Sequence, residues 1–179
     1  MELVGTMISG QFGVAKNIVG DNMSPIYTYA VETAIQITLT ELNENLREIY
    51  IEAYTMPETA EYIYVHTTAE LKQIFGSNFP GYTESDFYEM EIGTSGIMRN
   101  YMARKCDIHF PLDHKLRRFL TAAMRVYKVP EEEQAKVIAF IGSLDIRAIA
   151  TEVMYKLFAM LEMTFDFKLP KDDEEGETI

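Results

Sequence analysis

Apolar side chains return at steps of three and four residues along nearly the whole chain, the period of helices packed on one another. Val4, Met7, Ile8, Phe12, Ala15 and Val19 form the first stripe, which Gly20 and Asp21 stop. Ser24 followed by Pro25 supplies an N-cap and a proline at the first helical position. Ile26, Ala30, Thr33, Ile37 and Leu42 then run along one face, and Asn43 and Asn45 break the chain before a shorter helix with Leu46, Ile49, Tyr50 and Ala53. Thr55-Met56-Pro57-Glu58 reads as a capping box ahead of Ala60, Ile63, Tyr64, Thr67, Leu71 and Ile74, with Gly76 as the stop. Pro80 and Gly81 mark a loop, and Thr83 with Asp86 caps a helix whose inner face is Phe87, Met90, Thr94, Ile97 and Tyr101.

After a second loop over Lys105–Leu112, Asp113 caps the stripe Leu116, Phe119, Leu120, Ala123 and Tyr127. Pro130 and three glutamates, Glu131 to Glu133, open a last helix running to about Phe165, bent at Gly142 and Ser143. No segment survives as a strand. The expected fold is all-α: a compact bundle of about seven helices over residues 1–167, with an acidic, disordered tail over 168–179.

A chain of 179 residues with 47% hydrophobic content can bury a core without a disulfide, and its lone Cys106 allows no internal bridge. No apolar run approaches the ~18 residues of a membrane span, and the start lacks the basic stretch of a secretory signal. The expected location is cytoplasmic, away from membranes. The net charge of −12, from 16 basic and 28 acidic residues, argues against binding a phosphate backbone.

Two features point beyond a plain bundle. The last helix is apolar on more than one side, with Ile149, Val153, Leu157 and Leu161 at four-residue steps and Phe158 on another side. Such a helix is either central or shared with a partner chain, and its terminal position favours a homodimer seam. The chain is also rich in Met and Tyr, 11 of each, and has no Trp. Their concentration at Tyr50, Tyr54, Tyr62, Tyr64, His66, Met98, Tyr101 and Met102 suits a pocket for an apolar or amphipathic molecule. Each of these taken singly reads more readily as core.

Motifs for chemistry are sparse. Cys106, Asp107, His109, Asp113 and His114 cluster in sequence, but their spacing fits no closed zinc pattern and no nucleophile arrangement. Glu89 and Glu91 straddle a helix face rather than sharing one. HExxH, GxSxG, Walker and GxGxxG motifs are missing. The expectation is a protein without catalytic residues, cofactor or metal.

The strings LREIYIEAYTMPETAEYIY (Leu46–Tyr64), MEIGTSGIMRNYMARKCDIHF (Met90–Phe110) and KLRRFLTAAMRVYKVPEEE (Lys115–Glu133), with the helix order, resemble the C-terminal ligand-binding and dimerisation domain of TetR-family transcriptional regulators. The basic helix-turn-helix head of that family has no counterpart here, and Leu3–Val19 is similar to the helix that joins head to sensor. The resemblance implies that DNA is bound only through a missing N-terminal domain, under control of a small-molecule effector. It also implies a four-helix dimer seam from the last two helices, which adds Leu120 and Met124. The effector pocket would lie among the connecting helix, with Phe12, and the helices containing Tyr29, Tyr62 and Met98. Two other readings stay open: a helical protein-interaction module without a small ligand, and a metal protein or enzyme using the Cys106–His114 loop.

Overall fold

Helix boundaries fall where local chemistry sets them. The computed structural model describes residues 2–165. Among these, eight α-helices follow one another: α1 (Glu2–Val19), α2 (Pro25–Leu42), α3 (Glu44–Ala53), α4 (Pro57–Phe75), α5 (Glu84–Ala103), α6 (Leu112–Val126), α7 (Glu131–Ser143) and α8 (Ile146–Phe165). A single 3-10 turn, Gly76–Asn78, extends α4, and no strand occurs among the described residues beyond an isolated bridge between Asp107 and Phe110. The tail expected over 168–179 lies outside the described residues.

Several caps match their sequence signals. Ser24 accepts from the Ile26 amide, Asn43 from the Leu46 amide at 3.0 Å, and Thr83 with Asp86 forms a complete capping box. Gly20 ends α1 with a φ of 72°, the left-handed conformation that glycine adopts without strain. Three expectations are corrected. The Thr55 hydroxyl donates back to the Ile51 carbonyl at 2.6 Å, so Met56 stands at the N-cap of α4 without a side-chain cap. Pro111, not Asp113, precedes α6, and Asp113 sits in its first turn, where its charge still meets the positive helix end. The long last helix is two: Leu144 leaves the helical region, α7 ends, and Asp145 accepts from the Ala148 amide to start α8. The seven expected helices thus become eight.

The centre of the bundle is α2, which packs against every other helix. It is buried on all sides, from Ile26 through Val31, Ile35 and Leu39. Polar residues survive there because they bond within the helix: Thr33, Thr38 and Thr40 donate to carbonyls three or four residues back.

This arrangement changes the meaning of the apolar last helix. α8 lies on α2 and α1 and buries one side there, while Tyr155 and Met160 stay exposed. Val153 and Leu157, expected at a seam between copies, are buried in the core, as are Leu120 and Met124 of α6. Ile149 and Phe158 are half-buried against the same core. Leu161 lies outside the described side chains. One side of a terminal helix can be enclosed by its own chain when a central helix is apolar on opposite faces.

One buried ionic network ties the lower half together. Lys115 is fully buried and donates to Glu41 at 2.6 Å and to the Arg104 carbonyl. Glu41 also pairs with Arg47 at 3.3 Å and accepts from the Cys106 amide at 3.0 Å, while Arg47 donates to the Met102 carbonyl. Burial pushes the Glu41 carboxyl up, but Lys115, the amide and Arg47 together outweigh it and hold it below its ordinary value. This network fixes the α5–α6 loop and leaves Cys106 in a structural setting.

Candidate functional site

Three helices turn the same register toward one cavity. On α2 the lining residues are Tyr29, Glu32, Thr33 and Gln36; on α4, Thr67, Glu70, Leu71 and Ile74; on α5, Glu91, Thr94, Ser95 and Met98. Each set runs i, i+3, i+4, i+7, the spacing of one helix face. Phe12 of α1, Tyr54 after α3 and Phe119 of α6 complete the wall around a volume of about 60 Å³. A second, more open groove of about 250 Å³ shares Phe12, Glu70 and Ile74 with it and continues outward past Met23 and Pro25.

The cavity is acidic. Glu32 and Glu91 come from different helices, Glu70 stands at the junction with the outer groove, and no Lys, Arg or His lines the cavity among the described residues. Burial pushes the Glu32 carboxyl up to about 8, with the charges of Glu70 and Glu91 adding to the effect. Burial likewise raises Glu91 to about 7, opposed by hydrogen bonds from Thr94, Thr67 and Tyr127. Those hydroxyls lie at 2.7, 3.3 and 3.4 Å. Glu70 is raised by burial alone. No group of three His, Cys, Asp or Glu able to hold a metal occurs among the described residues.

Aromatic rings fix the polar groups. Tyr127 stacks on Phe75 at 4.2 Å between centroids, Tyr29 meets both rings edge-on, and the Tyr127 hydroxyl shares a 2.9 Å hydrogen bond with Thr94. Gln36 donates to the Tyr54 hydroxyl at 3.0 Å. Burial raises the phenols of Tyr29, Tyr54 and Tyr127, so they remain protonated donors at neutral pH. α1 is attached through Gln11, whose Nε2 donates to the Tyr50 hydroxyl.

Of the residues expected in a pocket, Phe12, Tyr29, Tyr54 and Met98 are brought together here. Tyr50 stands beside a void of about 10 Å³ that also touches Tyr54 and Gln36. The others lie elsewhere. Tyr62 is half-buried with its hydroxyl against Gly5 of α1 and stacks on His66 at 3.7 Å, and His66 is exposed. Tyr101 packs on Phe110 and Phe119, and Met102 is buried beneath the ionic network. Sequence reasoning missed all three glutamates. Their signal was present: each of the three lining quartets places an acid on a stripe otherwise made of apolar, aromatic, hydroxyl or amide side chains.

The Cys106–His114 segment gathers no comparable site. His109 and His114 are exposed, and burial raises the Cys106 thiol, opposite to the activation a nucleophile needs. No helix among the described residues is long and apolar enough to cross a membrane. No protein-family model, curated protein or solved structure matches the chain.

Proposed function

We propose that this chain is the ligand-sensing and dimerisation domain of a TetR-like transcriptional regulator, with the acidic cavity as the effector site and DNA binding carried by a domain ahead of α1. The observation that carries this reading is Phe12: the helix similar to the family's connector supplies one wall of the cavity and of the outer groove. At about 60 Å³ the cavity is smaller than the few hundred Å³ of usual ligand sites, so a bound molecule must move a wall. Phe12 and Ile74, which separate the cavity from the groove, are the side chains in the way. A ligand that displaces Phe12 binds one position of α1 better than another, which is the differential affinity that a switch requires.

Pairing of two copies belongs to the same proposal, but the side chains that carry it must lie outside the core. The surface that suits it is an apolar groove of about 370 Å³ where α6 meets the α7–α8 corner, lined by Leu116, Ile138, Ile141 and Ile146. Its rim carries Asp113 and Arg117 on one side and Asp145 and Arg147 on the other, a mixture that can pair with itself across a two-fold axis. The same groove favours a second reading, an interaction module that receives a different protein there.

Native mass spectrometry of the purified chain separates the two. A dimer carrying one small molecule per chain supports the sensor. An empty monomer, with no change in α1 hydrogen exchange on adding extracted metabolites, removes it and leaves the interaction module.

A further inference from the structure

We propose that the molecule this cavity takes is an organic cation, an alkylamine whose ammonium group enters among Glu32, Glu70 and Glu91 and whose hydrocarbon part leaves past Phe12 and Ile74. The inference rests on the reading of the cavity as a ligand site and adds the chemistry of the ligand.

Charge is the first argument. Three carboxylates from three helices line one small space, and no cationic side chain lines it among the described residues. Elsewhere in this chain a buried carboxylate is treated differently: Glu41 receives Lys115, Arg47 and a backbone amide. Glu32 makes no hydrogen bond or ion pair among the described residues, although it is half-buried on the cavity wall. Glu91 is 8% exposed and is met only by neutral hydroxyls. Unpaired buried carboxylates are costly, and packing alone gives no reason to keep two of them side by side. A guest cation supplies the missing counter-charge.

Shape is the second argument, and it is independent of charge. The inner volume of about 60 Å³ seats an ammonium group with a few carbons, not a drug-sized molecule. The carboxylates form no group of three able to hold a bare metal ion among the described residues, which favours a charge carried on a larger group. Tyr29, Tyr54 and Phe12 offer ring faces and edges, which favour an alkylated cation over an alkali ion. The outer groove of about 250 Å³, with Met23, Pro25 and Ile74, has the apolar walls that a hydrocarbon tail needs. Lys16 and Asp21 stand at the outer end of that groove, beyond the Glu70 junction.

Proton linkage follows. The groups facing Glu32 are Glu70 from α4, Glu91 from α5, Tyr29 on its own helix, Tyr50 of α3 and Tyr54 after α3, while α1 contributes the uncharged Phe12. With Glu32 pushed to about 8 and Glu91 to about 7, part of the site is protonated at neutral pH. An arriving ammonium favours the ionised forms, so binding releases protons and tightens as pH rises through that range.

Calorimetry on the whole chain with n-octylamine, 1-octanol and octanoate tests this. The amine should bind at least about tenfold more tightly than the alcohol, a difference of about 1.4 kcal/mol, and octanoate should not bind. Amine affinity should rise between about pH 6 and about pH 9, with a heat that depends on the buffer's ionisation enthalpy. Glu32→Gln and Glu91→Gln should each shrink the preference for amine over alcohol. Both substitutions remove an unpaired buried charge, so the variants should fold. If octanol or octanoate binds wild type as tightly as the amine, or the double variant keeps full amine affinity, the cation is wrong and the ligand site stands. If none of the three binds, the ligand site falls with it.

Discussion

Replacing Glu32 with Gln should stabilise the protein, and the gain should depend on pH. The carboxyl holds its proton to about pH 8 in the fold, against an ordinary value of 4.5. Between those values the folded chain binds more protons than the unfolded one, so stability falls as pH rises through the window. Each pKa unit corresponds to about 1.4 kcal/mol, which places a ceiling of about 4 kcal/mol on what Glu32 removes by pH 8. The cavity opens toward water on the Glu70 side, and screening reduces the working figure to about 2 kcal/mol. Gln is nearly isosteric, carries no proton to lose and can donate to Glu91. For a domain of this length, about 2 kcal/mol raises Tm by roughly 4–8 °C. Thermal melts of wild type and Glu32→Gln at intervals from about pH 5 to about pH 9 decide the matter. The two curves should meet near the acid end and separate steadily above it. Parallel curves, or a variant less stable at the alkaline end, would refute the claim that an unpaired carboxylate is buried here.

Other outcomes follow from neighbouring contacts. Lys115→Met leaves Glu41 buried with less compensation and should cost about 3–5 kcal/mol in urea titrations, much of it recovered by adding Glu41→Gln. Tyr127→Phe keeps the stack on Phe75 but removes the hydroxyl shared with Thr94 and Glu91, for a loss of about 1 kcal/mol in the same assay. Cys106 should react with iodoacetamide more slowly than free cysteine at neutral pH, because burial raises its thiol, and Cys106→Ser should leave ligand binding unchanged.

The helices were legible because their signals are local. Ser24-Pro25, Asn43 and the Thr83–Asp86 box each act within one turn, so nothing distant can overrule them. Thr55 was misread for the same kind of reason: its hydroxyl had a closer partner behind it, the Ile51 carbonyl. The site was half legible. Phe12, Tyr29, Tyr54 and Met98 stand out as large side chains on apolar stripes, whereas a glutamate on a helix reads by default as a solvent face. Only the meeting of three helices turns Glu32, Glu70 and Glu91 toward one another, and no single stretch of sequence encodes that meeting. Tyr62 and His66 stack one helical turn apart beside α1, outside the cavity that the three helices line. The apolar width of the last helix says how much must be buried, and α2 and α1 cover only part of it.

The central position of α2 also sets the order in which the molecule comes apart. A helix enclosed by all seven others can exchange its amide hydrogens only when its neighbours have left, so its middle residues, Val31 to Leu39, should be the slowest in the chain. α1 is the opposite case: it touches chiefly α2 and α8, contains four glycines or is ended by them (Gly5, Gly10, Gly13 and Gly20), and leans on α3 through one amide whose oxygen has no partner. Undocking of α1 is therefore an excursion that can precede any opening of α2. That excursion lifts Phe12 away and admits bulk water to Glu32 while the α2–α8 body remains assembled. Passage to the interior can thus come from the movement of one helix, alongside the groove that already leads in past Glu70.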